Sequence, residues 1–428
     1  MTQELIRPPR TAMMRIFFRL VMAGILFVAA PALAETKLRF YSWQTDDQSN
    51  SVWWKATIAA FLADHPGVAI DFVGVPRGEF ADTMMTMFGA NNPPDIVHLA
   101  SFEFQAFADQ GWLEDLSPLI AHDGPDLKGW AGQGVCTIDG RTVCINLNYF
   151  GYILYYNEAL LKAAGVGVPT NWDEYLGAAR KVTQAGHGES YGIGLQTTAG
   201  AGQYLTELLC TVLDAGGYWT DAQGHPTIDS PAVIEGLRHW KQLQREKLTP
   251  MGDSADDIRQ LFLEGRIGMR LDGPWMWGLL DHAKPALRAQ FKVAVPPFKT
   301  PLGGTSNVIA MPTGLPPERQ RLVWDYIKLI TSQRWQEEYV ALSGQLAPRP
   351  NTLTPVVLSA KPFLAVFRQS QDAAAAAGVD RLPKGFETTY NAFAKIVTEE
   401  CQRMVNADLD PAETARRIQQ RVVDLQRS

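Results

Sequence analysis

The sequence predicts an α/β protein folded as two lobes. Three observations carry that expectation. Short apolar runs alternate with stretches of helical periodicity, which is the grammar of a sheet with helices packed on it. The alternation restarts after a hairpin in the middle of the chain. At 428 residues, the chain exceeds what one ordinary core holds and suits about two domains.

The first stretch of the alternation is "KLRFYSW", a strand that leaves through Tyr41 and Trp43 into the polar turn "QTDDQSN". "SVWWKATIAAFLADHP" has apolar residues at helical spacing and stops at His65-Pro66. "VAIDFVGV" is a strand, "RGEFADTMMTMFGA" a helix, "DIVHLA" a buried strand and "SFEFQAFADQG" a helix. "VCTIDGRTVC" then reads as two arms around an Asp-Gly turn. A three-residue loop centred on Gly140 would set Cys136 opposite Cys144, and an oxidising compartment would favour their disulfide over two buried thiols. Cys210 and Cys401 are too far apart in sequence for spacing to pair them.

Beyond the hairpin, "GYILYYN" is a strand and "EALLKAAG" a helix closing at Gly165. "TNWDEYLGAARKVT" opens with Thr170 and Asp173 placed like a capping box, and "SPAVIEGLRHWKQLQREK" carries Pro231 at its first helical position. "IRQLFLEG" is helical, while "IGMRL" and "FKVAVPPF" are strands. "ERQRLVWDYIKLITSQRWQEEYVALSG" and most of the tail from Thr388 are helical.

The amino terminus has the layout of a secretory signal over residues 1–34. Arg15 and Arg19 precede an uncharged run from Leu20 to Ala30, and small residues at Ala32 and Ala34 suit cleavage. Met13 or Met14 is an alternative start. The run is shorter than the roughly 20 residues that span a bilayer. Removing it leaves 35 basic and 44 acidic residues, a balance that offers no footprint for nucleic acid. The expectation is an exported, periplasmic protein acting as a monomer. No metal or cofactor is expected, since neither CxxC nor HxxxH spacing occurs.

Ligands of α/β sheets bind outside the carboxyl ends of parallel strands. The loops to watch are therefore "SWQTDD", "LASFEF", "LDGPW" and "LGGTSN". In "RIGMRLDGPWMWG", Gly273 lets the chain turn and Pro274 has the φ of a helix start, which places Trp275 beside the strand's carboxyl end. A ring there offers an apolar face and an indole N–H, which suits a sugar or polyol. Trp277 falls on a different helical face and is expected to pack in the core.

Four segments together resemble the large extracellular solute-binding family, the maltose-binding-protein-like substrate-binding subunits of ABC importers. They are "PPDIVHLASFEFQAFADQGWLEDLSPLI", "YYNEALLKAAGVGVPTNWDEYLGAARKVT", "LFLEGRIGMRLDGPW" and "WDYIKLITSQRWQEEYVALSGQLAPRP". The resemblance implies a type II periplasmic-binding-protein fold: two lobes, each a mainly parallel sheet flanked by helices, joined by hinge strands. It assigns residues 35–148 and 297–344 to one lobe, and 149–296 and 345–428 to the other. Crossings fall near Asn146–Tyr152, Val295–Lys299 and Ser343–Arg349.

The implied function is to capture a sugar or polyol between the lobes and deliver it to a membrane permease. The implied site comprises Trp43, Gln44 and Asp46 after the first strand, and Glu79 on the second helix. It continues with Ser101 and Phe102 after "PPDIV", Trp275 at the corner, Gly304, Thr305 and Asn307 in "GGTSN", and Arg349 after the last crossing. Maltodextrin-binding relatives carry an aromatic and an Asp-Arg pair after "PPDIV". Leu99, Phe102 and Glu103 stand there instead, which argues against maltodextrin.

Other functions fit less of the sequence. A glycan-active enzyme would need a nucleophile with its base or a tuned acid pair, and the seven histidines are scattered singly with no Gly-x-Ser-x-Gly elbow. A polyamine or a glycerol-phosphate-type solute would keep the fold and change the ligand. Tyr155 and Tyr156 resemble tandem tyrosines that hold ferric iron, but adjacent strand residues face opposite sides.

Overall fold

Alternating burial lays the first strand down against the core: Leu38, Phe40 and Ser42 of β1 (Thr36–Ser42) face inward while their neighbours do not. The computed structural model describes residues 36–45, 49–198, 201–379 and 381–427, without the side chains of residues 201, 305 and 306. The secretory signal expected over residues 1–34 lies outside that range. No helix among the described residues is long and apolar enough to cross a membrane.

The remaining strands are β2 (Val68–Gly74), β3 (Ile96–Ala100), β4 (Thr137–Ile138), β5 (Arg141–Thr142), β6 (Ile145–Gly151), β7 (Ile153–Asn157), β8 (Tyr191–Ile193), β9 (Ile267–Asp272), β10 (Phe291–Ala294) and β11 (Gly303–Ala310). They form one sheet in the order β2-β1-β3-β11-β6 and a second in the order β10-β7-β9-β8, with β4 and β5 a separate hairpin. The molecule is thus two-lobed and α/β, as expected. The sheets are mixed rather than mainly parallel. β1 runs parallel to β2 and β3, but β11 is antiparallel to both β3 and β6. In the second sheet only β8 and β9 are parallel. The antiparallel partners are the strands next to the passages between sheets: β6 and β7 are separated by Tyr152 alone, and the chain returns from β10 to β11 over residues 295–302.

Each sheet has its own core. Phe40, Trp53, Trp54, Phe61, Trp324 and Tyr326 pack over the first, and Trp53 donates its indole N–H to the Trp335 carbonyl at 2.8 Å. Tyr204, Leu208, Trp240, Phe393, Val397 and Cys401 pack beside the second, which brings the helices Tyr390–Asn406 and Pro411–Arg427 onto that lobe. β3 and β9 are buried along their whole length, as central strands covered on both faces should be.

Local signals moved by a residue or two in three places. The stretch from Glu318 to Gly344 breaks into helices Pro317–Ile330 and Gln333–Ser343, because Ser332 caps the second by accepting from the Trp335 N–H. The cap before Trp172 is Asn171, whose side chain accepts from the Glu174 N–H, while Glu174 reaches back to Thr170. In the cysteine hairpin the loop has two residues, not three. Asp139 and Gly140 both adopt positive φ (50° and 75°), the geometry of a tight hairpin turn. Thr137 consequently pairs with Thr142, and the Val143 N–H donates to the Cys136 carbonyl. Val143, rather than Cys144, lies opposite Cys136.

Candidate functional site

The carboxyl ends of β1, β3 and β9 open on one cleft with a volume of about 1030 Å³, at the top of the range for small-molecule sites. Residues from both lobes line it. The first contributes Trp43, Gln44, Arg77, Phe102, Glu103 and Asn307; the second contributes Tyr152, Gln203, Asp256, Arg259, Trp275 and Arg381. The lobes approach each other at its rim. The Phe102 and Tyr390 rings lie 5.2 Å apart, and a Cβ on Gly278 would collide with the Ser49 hydroxyl.

Trp275 begins the helix Trp275–Leu279, directly after Pro274 with its φ of −64°. The sequence reading gave Gly273 a conformational role, but it is not among the residues with positive φ. Its role is spatial: a Cβ at Gly273 would collide with the six-membered ring of Trp275, so the indole rests flat on the glycine. Phe150 and Tyr152 brace the ring at 5.4 and 6.0 Å, and Tyr155 donates its hydroxyl to the Gly273 carbonyl at 2.9 Å. The Trp275 indole N–H donates to Asp272 at 2.6 Å. Trp275 remains half-buried and lines the cleft. Trp277 packs, as its helical position implied: it stacks on Phe363 at 3.7 Å beneath the Arg288 guanidinium.

Asp272 is the hub beneath this wall. Fully buried, it accepts from Arg259 at 2.9 and 3.1 Å, from Arg270 at 2.8 Å and from the Gly273 N–H at 2.9 Å. Burial alone would raise its pKa, but the two guanidinium groups outweigh it and hold the carboxyl well below the usual range. Arg270 is also buried and lies 3.6 Å from Glu207. Burial pushes the Glu207 pKa up against the pull of Arg270, and Glu207 in turn accepts from Gln203 and from the Gln196 N–H. Gln203 accepts from the Tyr152 hydroxyl at 3.1 Å, which links this network to the cleft surface.

The opposite wall is built on a neutral ring. Trp43 stacks on His98 at 4.2 Å with 13° between planes and meets Phe80 edge-on, while the Arg77 guanidinium lies 4.9 Å above it. His98 is fully buried, with Nδ1 2.9 Å from the Ser42 hydroxyl. Burial first, and then the charge of Arg77, lowers its pKa to about 3. Arg77 is held at 2.7 Å by Glu103.

Of the residues expected here, Trp43, Gln44, Phe102, Trp275 and Asn307 line the cleft. The Gln44 side-chain oxygen Oε1 accepts from the Trp54 indole, and the Asn307 backbone N–H donates to the Asn148 side chain. Asp46 and the Thr305 side chain lie outside the described residues. Glu79 is exposed on its helix, and Arg77, Gly78, Ala81 and Asp82 supply the cleft-facing side instead, as a period of 3.6 requires. Ser101 is buried behind Phe102, and its carbonyl accepts from Gln105. Gly304 sits within β11 opposite Phe150 of β6, away from the cleft lining. Arg349 is committed elsewhere: it donates to Gln333 at 2.8 Å and to the Thr331 carbonyl at 3.0 Å, fastening the passage after the helix Gln333–Ser343. Cys136 and Cys144 are free, buried thiols in contact, and burial together with the Cys136 thiol raises the Cys144 pKa well above its ordinary value.

Sequence reasoning missed Arg77, Tyr152, Arg259, Asp272 and Arg381. Asp272 stood inside the quoted "LDGPW" corner, and its carboxylate beside an indole was the available signal. Arg381 carries none, since "VDRLPKG" has no periodicity.

Comparison with known proteins matches residues 45–337 to the family described as bacterial extracellular solute-binding protein. A Brucella abortus protein named as a binding protein is 25% identical over 301 residues, covering 67% of this chain and 70% of the relative. Among solved structures, T. maritima MalE3 with maltose bound superposes with a TM-score of 0.79 at 21% identity, covering 91% of this chain and all of MalE3. UgpB from Mycobacterium tuberculosis in complex with glycerophosphocholine gives 0.79 at 18% identity, over 92% of this chain and 99% of UgpB. These likenesses support the two-lobed fold, and the family match covers well over half of the sequence. The chain belongs to the bacterial extracellular solute-binding protein family.

Proposed function

We propose that the protein is the non-enzymatic, periplasmic capture component of an ABC importer. It holds a hydroxyl-rich solute of the sugar or polyol class between its lobes and delivers it to a membrane permease. The single observation that carries this reading is Trp275: a half-buried indole with one face on Gly273 and its N–H satisfied by Asp272, at the edge of a cleft lined from both lobes. Such a ring has an apolar face to offer the C–H side of a sugar, and the polar side chains of Gln203, Asn307 and Arg259 line the cleft in which its hydroxyls would lie. Hinge closure over a ligand is favoured only through contacts made to both lobes at once, and Trp43 and Phe102 oppose Trp275 for that purpose.

The expected crossings near Asn146–Tyr152, Val295–Lys299 and Ser343–Arg349 are the hinge in this reading. Residues 1–34 are its export signal, and the monomer its working form. A polyamine fits less well, because two of the three lining carboxylates, Glu103 and Asp256, are already paired with arginines and Arg381 adds a further positive charge. In the oxidising periplasm, the touching thiols of Cys136 and Cys144 are expected to close as a disulfide. Intact mass before and after reduction tests this, with no change in mass counting against it. A thermal-shift screen of the mature protein against neutral sugars, sugar phosphates, polyols and spermidine tests the function, since a ligand of the native state raises its melting temperature. Stabilisation by spermidine alone, or turnover of any sugar, would overturn the reading.

A further inference from the structure

We propose that the cleft contains an anion subsite centred on Arg381, and that the captured solute carries a phosphate or carboxylate group on its hydroxyl-bearing skeleton. The inference rests on the reading of the cleft as a solute site and adds the charge of the solute to it.

It starts from a contrast among the three arginines that line the cleft. Arg77 is paired with Glu103, and Arg259 with both Asp272 and Asp256. Arg381 is only 8% exposed, yet among the described residues neither a carboxylate nor a hydrogen-bond acceptor reaches it. Its guanidinium lies over Phe102 at 4.3 Å and over Phe150 at 5.3 Å. Aromatic faces of this kind fix the plane and favour the charge, but they leave the five N–H donors unused. Because the group lines the cleft, those donors are left to whatever fills it.

The neighbouring acids do not compete for it. Glu103 is bonded through Oε1 to Arg77 and Asp256 to Arg259, Asp82 sits exposed on the helix Arg77–Gly89, and none of the three lies within ion-pair distance of Arg381. A nearly buried cation without an acidic partner is costly unless something compensates it, and lobe closure would remove the water that does so in the open cleft. A neutral sugar offers only hydroxyl lone pairs. A phosphate or carboxylate offers two oxygens spaced to match the guanidinium fork, together with the opposite charge. Phe102 comes from the first lobe and Arg381 from the second, so an anion seated there would also bear directly on closure.

Calorimetry on the full mature chain tests this with matched probes: glucose, glucose 6-phosphate and glucuronate, and glycerol with glycerol 3-phosphate. In the wild-type protein an anionic member should bind at least about tenfold more tightly than its neutral counterpart, and the phosphate and carboxylate arms show which group is taken. Arg381→Gln should weaken the anion roughly 100-fold and so abolish its advantage over the neutral member, with Arg381→Lys in between. Equal binding of charged and neutral members, or an anion preference that survives in Arg381→Gln, overturns the subsite and leaves the cleft reading in place. A panel in which nothing binds overturns both.

Discussion

The two walls of the cleft each present an indole, and they support it by opposite physics. Trp43 rests on His98, an imidazole kept neutral by burial and by the nearby Arg77 charge. Trp275 rests on a bare glycine, with its N–H tied to a carboxylate that two arginines, Arg270 buried and Arg259 at the cleft wall, hold ionised. The first wall is a stack, held by contact area and tolerant of small shifts. The second is an electrostatic fixture in which ring position depends on charge balance several residues deep. Two similar rings therefore answer differently to substitution and to pH.

The largest difference should come from the charged wall. Asp272→Asn removes the counter-charge shared by fully buried Arg270 and partly exposed Arg259, and the expected loss of stability is about 3–5 kcal/mol by denaturant unfolding. A loss below about 1 kcal/mol would mean that the network does not support this wall. Gly273→Ala should act more locally. Its methyl group displaces the Trp275 ring at an overpacking cost of about 1–3 kcal/mol, and it should shift tryptophan emission and weaken solute binding. Unchanged emission and affinity would show that the ring can yield without consequence.

At neutral pH the smallest effect belongs to the neutral wall, and it grows only with acid. Burial lowers the His98 pKa from its ordinary 6.5 to about 3, so below pH 6.5 the unfolded chain binds a proton that the folded one refuses. The contribution of His98 to stability is full above pH 6.5 and is lost progressively as the pH falls from there toward 3. His98→Gln should accordingly flatten the decline in melting temperature between pH 6.5 and 4. Parallel declines in both proteins would sink this assignment.

The contrast also explains what could be read from sequence. Strand and helix periodicity exposed the two lobes, and the "LDGPW" corner exposed Trp275, because packing rings and tight corners leave local patterns. The supports under those rings left none. Asp272 meets Arg259 across 13 residues, and Trp43 meets His98 across 55, through sheet and helix packing that no single window contains. Glu79 and Arg349 do not line the cleft, and the same limit applies to them: polarity near a cleft-forming segment does not reveal which side of a helix faces inward, or that Gln333 and the Thr331 carbonyl already claim a guanidinium. The mixed sheets were illegible too, since strand direction is set by the passages between lobes and not by composition.

The most direct test of the two-walled grip is calorimetric titration of the best-bound solute into Trp43→Ala, Trp275→Ala and the wild-type protein. Each substitution alone should weaken binding by about 2 kcal/mol, roughly thirtyfold, while the circular dichroism spectrum stays native. If either indole can be removed with no change in affinity, the solute is not held between the two walls.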